Sequence, residues 1–205
     1  MIGQFSFGTW NINRAVSAKK QVCQKMTRVL NTIAIGLFAI LCLLGCSGSR
    51  TDEILANDDD FELCDGLFME ILDYYGSDMR ADDMPESPRN VLLVWHSMGI
   101  IDNGGFEYLF EGDFEGDPGF KLTLGAFETI GSDAAASAVR DALALFPDGE
   151  VQSDFDERIE YYESLPEDKR MELNRRFWYA GMTGSDEIQT KLASFIRAHK
   201  ADFDW

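Results

Sequence analysis

From Phe61 onward the apolar residues fall at helical spacing and almost nowhere at the alternation of a strand. Phe61, Cys64, Leu67, Phe68, Ile71, Leu72 and Tyr75 recur at intervals of three and four, so one stripe of a helix is apolar and the rest polar. Such a chain can bury its stripes only by packing helix on helix. Punctuation then divides the sequence. Asp60 is placed to cap the first helix and Gly76 to stop it. Ser77–Ser87 reads as a loop, and Ser87-Pro88 opens a helix that Val91, Leu92, Val94, Trp95 and Met98 continue. Asp102-Asn-Gly-Gly105 ends that helix, and Phe106–Phe110 restarts a short apolar turn. Glu111–Gly119 is a loop. Residues 120–130 and 133–146 form two helices separated by Gly131-Ser132. Ser153 starts an acidic helix, Pro166 opens the next and Gly181 closes it, and Ser185 caps a last helix through His199. The fold class expected is all-α, a compact bundle of about six or seven helices over residues 61–205 with an acidic surface. Its core is expected from Phe68, Leu72, Leu92, Trp95, Phe106, Phe110, Phe127, Leu143, Phe177, Leu192 and Phe195.

Charge is divided unevenly. Residues 1–45 hold five basic and no acidic side chains, so the other 160 residues hold all 36 acids against 13 bases, a net of −23. A field of that sign repels nucleic acid and membrane phosphate and attracts basic partners. With 45% hydrophobic residues the chain nevertheless has material for a core.

The first 45 residues read as a targeting leader. Ile33 to Leu44 is an uncharged apolar run, shorter than the about 20 residues that span a bilayer and of the length of a signal-peptide core. Leu43-Leu44-Gly45-Cys46 closes it and resembles the lipobox of bacterial lipoproteins, which makes Cys46 the expected lipidated residue. Met26-Thr-Arg28 begins a front region of ordinary length, so Met26 is an alternative start to Met1. Residues 46–60 are then a flexible tether that turns acidic. Ser47 after the cysteine matches delivery to the outer membrane, facing the periplasm. The alternative location is the cytoplasm.

Little in the sequence carries chemistry. Cys64 is the one cysteine beyond the leader and Cys46, which leaves it no disulfide partner in the domain, and with His96 and His199 it makes no zinc pattern. No phosphate-cradling glycine loop, HExxH or GxSxG occurs. His96 beside Trp95 reads as a packed imidazole. Asp113, Glu115 and Asp117 are spaced like a calcium loop, but Pro118 and Leu124 stand where that loop needs glycine and a bidentate acid. No metal, cofactor or catalytic residue is expected. A carboxylate-dependent hydrolase using Glu111 and Asp113 is the minor alternative.

The most specific local pattern is Asn103-Gly104-Gly105-Phe106, followed by Tyr108 and Phe110. It demands a sharp turn between buried helices, with Gly104 or Gly105 at positive φ. Its backbone amides would be the functional element, receiving an anion or a partner loop. Trp95 through Phe110, with this motif at its centre, resembles the DNA-mimic protein C-terminal domain family. The resemblance continues through Ala126–Gly131, Phe177 and Phe195–Phe203, about residues 91–203. Asn174 stands where that family usually carries Asp, and Glu107-Tyr108 where Gln is frequent nearby. The resemblance implies an all-α fold, no enzymatic activity and a homodimer, with carboxylates imitating DNA phosphates.

The acidic interaction surface is expected at Asp154, Asp156, Glu157, Glu160, Glu163, Glu167 and Asp168. From Asp154 to Glu172 eight acids meet three bases, net −5 over 19 positions. That is one net charge per roughly 6 Å of helical path, against one per about 1.7 Å of duplex. One helix at that density falls short of a duplex, so several faces or a dimer are needed. The leading expectation is therefore a membrane-tethered lipoprotein whose non-catalytic acidic domain binds a basic protein and no nucleic acid directly. The alternative is a cytoplasmic DNA mimic that occupies a DNA-binding regulator.

Overall fold

The computed structural model describes residues 49–112, 114–179 and 184–205. The leader, Met26, Cys46, Asp113 and Gly181 lie outside the described residues. Residues 49–205 form one compact unit. Among the described residues there are eight α-helices and no strand: α1 (Arg50–Leu55), α2 (Asp60–Tyr75), α3 (Glu86–Phe110), α4 (Lys121–Thr129), α5 (Asp133–Leu143), α6 (Phe155–Ser164), α7 (Glu167–Trp178) and α8 (Ser185–Ala198). The fold is all-α, as the spacing of apolar residues implies.

The long helix α3 is the axis of the bundle and packs against α2, α4, α6, α7 and α8. It is apolar nearly all round: Val91, Leu92, Leu93 and Val94 are successive and all fully buried. A surface helix would show a polar face there, so this pattern marks a central one. At its far end Phe110 meets Phe146, Tyr162 and Phe120 edge-on, with ring centroids 4.9, 5.1 and 5.4 Å apart. Phe177 joins Phe106 and Phe127 in the same way, at 5.8 and 5.7 Å. Each such pair adds about 0.5–1.5 kcal/mol beyond the area it buries. Nine of the eleven expected core residues are buried; Phe68 and Leu72 lie half-buried against the core.

Several boundaries depart from expectation, each for a local reason. The expected tether contains α1. Ser49 and Asp52 form a reciprocal capping box, Thr51 and Leu55 are buried, and Ile54 packs over Gly66, where a side chain would crowd it. Asp59 rather than Asp60 caps α2, accepting from the Glu62 amide at 3.0 Å. The third helix starts at Glu86, one residue before the expected cap, and the Ser87 hydroxyl instead donates to Asp202 at 2.6 Å. Asp154 rather than Ser153 caps α6. Gly184 precedes α8, and the Ser185 hydroxyl is directed to the Asp102 carboxylate. Phe61, at the start of the α2 stripe, is exposed, although its ring lies 5.6 Å from that of Trp95.

Candidate functional site

The seven acids expected to form an interaction surface all lie exposed, on α6, its cap and the first turn of α7. Sequence spacing explains the sidedness. Asp156, Glu160 and Glu163 recur at four and three residues on the outward side of α6, with Glu157 beside them, while Arg158 and Tyr162 are buried on the opposite side. Asp154 is partly engaged, since its carboxylate accepts the Glu157 amide at 3.0 Å. None of the seven forms an ion pair with a described residue. Elsewhere acids are matched: Arg80 with Asp82, Asp83 and Glu115, Arg50 with Glu70 and Asp73, Arg197 with Asp60, Arg140 with Glu128.

Two of the three bases in this stretch point inward. The Arg158 guanidinium is 1% exposed and donates to the carbonyls of Phe110 (2.7 Å), Gly112 (3.1 Å) and Gln152 (3.2 Å). Arg170 reaches back to Glu107 at 2.8 Å. From Asp156 to Glu163 the four outward carboxylates occupy seven helical rises, about one per 3.5 Å of axis. A single DNA strand has about one phosphate per 3.4 Å. The net charge over Asp154 to Glu172 understates this density, because it counts two arginines that face the interior and averages over a longer path.

The Asn-Gly-Gly-Phe turn is a break within α3. Gly105 has φ 73° and ψ −165°, while Gly104 continues the helix. A side chain at Gly104 would strike the Tyr108 ring, and one at Gly105 would strike Asn174. The break leaves backbone groups without helical partners, and α7 supplies them. Asn174 Oδ1 accepts the Phe106 amide at 2.9 Å, and the Trp178 indole N–H donates to the Ile101 carbonyl at 3.0 Å. Asn103 donates to the carbonyl of Gly99. The Phe106 amide is therefore closed to an anion or partner loop, and the turn is a joint braced from α7. Asn174 and Trp178 were missed by the sequence as braces. Their spacing of one helical turn, opposite a Gly-Gly break, is the signal that could have found them.

The 111–119 loop serves structure as well. Glu115 is paired with Arg80, and the buried Asp117 accepts the amides of Leu122 and Thr123 and the Thr123 hydroxyl at 2.8–2.9 Å. Burial raises the Asp117 pKa, and those hydrogen bonds oppose the shift. Phe120, which precedes α4, makes no side-chain cap, so Asp117 caps that helix from a distance. No group of three or more His, Cys, Asp or Glu among the described residues is placed to hold a metal ion. His96 is exposed, contrary to the packed imidazole expected, although its ring meets Phe114 edge-on at 5.2 Å, and the burial of part of the ring lowers its pKa. Cys64 is buried and its thiol pKa is pushed up to about 12, which removes it as a nucleophile at neutral pH.

Among the described residues no helix is long and apolar enough to cross a membrane. No curated protein and no solved structure matches the chain. The family described as DMP19-like protein has a model that matches residues 82–199, from the turn before α3 to the end of α8. That segment holds the braced Gly-Gly break and the outward carboxylates together, and by this match over more than half its length the chain belongs to the DMP19-like family.

Proposed function

We propose that this domain is a non-catalytic interaction module of the DNA-mimic kind, whose α6–α7 carboxylates occupy the basic surface of a protein partner. The observation that carries this reading is the outward face of α6. Four carboxylates stand there with no ion pair to a described residue, at close to the axial density of one phosphate strand, with Arg158 and Arg170 turned inward. The family supports the same reading, since DMP19-like proteins are DNA mimics. Ion pairs that release no condensed counterions still weaken as salt screens them, so the contact is electrostatically steered and salt-sensitive.

The test uses the immobilised domain and a triple variant, Glu160→Gln, Glu163→Gln and Glu167→Gln. A basic partner retained from extract at low salt is expected to be released by duplex DNA and by raising salt, and to be lost from the triple variant. Retention that ignores DNA, salt and the three substitutions would overturn the proposal. The compartment decides which basic protein is met: an acylated Cys46, read from the mass of the mature chain, assigns the module to the envelope, and an intact leader assigns it to the cytoplasm.

A further inference from the structure

Pure phosphate mimicry asks for carboxylates and nothing else, yet the carboxylate face runs into an apolar strip. Eight large apolar side chains are exposed among the described residues, and three of them belong to α7 or to the end of α3 that packs on it: Tyr108 (49%), Met171 (52%) and Trp178 (37%). The seam is fixed by Arg170–Glu107, Asn174–Phe106 and Trp178–Ile101, which run α7 antiparallel to that part of α3. Met171 and Trp178 are two turns apart on one side of α7, about 10 Å along its axis, and Glu167 lies one turn before Met171 on the same line. Tyr108 flanks them across the seam, its ring over Gly104. Trp, Tyr and Met are the residues that anchor protein interfaces, and they are over-represented in this strip for a solvated surface.

We propose that this strip docks an amphipathic basic helix of the partner. Apolar side chains one face apart on that helix cover Met171, Trp178 and Tyr108. Its lysines and arginines meet Glu160, Glu163, Glu167 and Asp168. The occupant follows from charge: the strip opens onto exposed acids that pair with no described residue, and the arginines beside it, Arg170 and Arg175, are already paired with Glu107 and Glu172 at 2.8 and 2.6 Å. This inference rests on the acidic-module reading above and adds a salt-independent component to it.

Two probes separate the two ideas: a designed helical peptide with lysines on one side and leucines on the other, and an oligolysine of equal charge. Titrated against the full chain, the amphipathic peptide is expected to bind about tenfold more tightly. Met171→Ala with Tyr108→Ala should erase that advantage and leave oligolysine binding unchanged. Met171→Gln, which keeps the length of the side chain, serves if the double variant fails to fold. The triple glutamine variant should weaken both probes. Equal binding of the two peptides overturns the docking inference and leaves the acidic module standing. Failure of both to bind overturns the module first. A chain that sediments as a dimer and dissociates on Met171→Gln substitution assigns the strip to a second copy, and also overturns the inference.

Discussion

Arg158 and Glu160 are two residues apart on α6, and their environments are opposite. Around Arg158 the chain buries a charge and surrounds it with acceptors: three carbonyls hold its N–H groups, and the Phe120 ring lies 5.6 Å from the guanidinium. Around Glu160 it leaves charge in water beside more charge of the same sign. The interior cluster orders the end of α3 and the loop after it. The carboxylates of the outer face beyond the Asp154 cap make no ion pair with a described residue. Positions that serve structure and positions that serve recognition are therefore separable within three turns of one helix.

Arg158→Met should break the comparison most. It leaves three inward carbonyls without donors, and a loss of about 3–4 kcal/mol in denaturant unfolding is expected. A loss below 1 kcal/mol would show that the carbonyls find water instead. Next comes the brace. Gly105→Ala forces positive φ on a residue with a side chain and drives that side chain into Asn174, for an expected loss of about 2 kcal/mol or more. Asn174→Ala, which removes only the cap, should cost about 1 kcal/mol, and Asn174→Asp should cost nothing because a carboxylate accepts the same amide. The smallest effect belongs to the outer face. The triple glutamine variant that weakens binding is expected to unfold within about 0.5 kcal/mol of wild type, on the stabilising side as like charges are relieved. A loss beyond 1 kcal/mol would show that these acids hold the fold together after all.

The helices were legible because burial acts through spacing. The centre of the stripe, from Cys64 to Ile71, the stop at Gly76 and the positive φ at Gly105 each follow from a local rule that the structure obeys, while Phe61 at the head of the stripe stays exposed. Caps were less legible by one residue at a time. Ser87 and Ser185 are good caps by type, but a carboxylate distant in sequence, Asp202 or Asp102, takes their hydroxyls. α1 was hidden for another reason. SGSRTDEIL is polar enough to pass for a tether, and only its capping box and the absent side chain at Gly66 bring it onto α2. The candidate site was half legible. Its acids could be named from their positions, and all seven are exposed. The direction of the arginines among them could not, because spacing alone does not say whether Arg158 points at solvent or at the Phe110 carbonyl. Leaving out the two inward arginines takes the stretch from Asp154 to Glu172 from net −5 to net −7, from about 6 Å to about 4 Å of helical path per net charge.

The brace on Gly105 also ties two timescales together. The Phe106 amide is shielded by a side chain from α7 and not by its own helix, so it can exchange with solvent only when α7 lifts away. The same event frees the Ile101 carbonyl and parts Arg170 from Glu107. Opening the bend and undocking α7 are thus coupled, and the helix that carries the end of the carboxylate face is tied to the centre of the bundle beneath it. A partner meets a surface already set in shape, and little of the binding free energy is lost to ordering it.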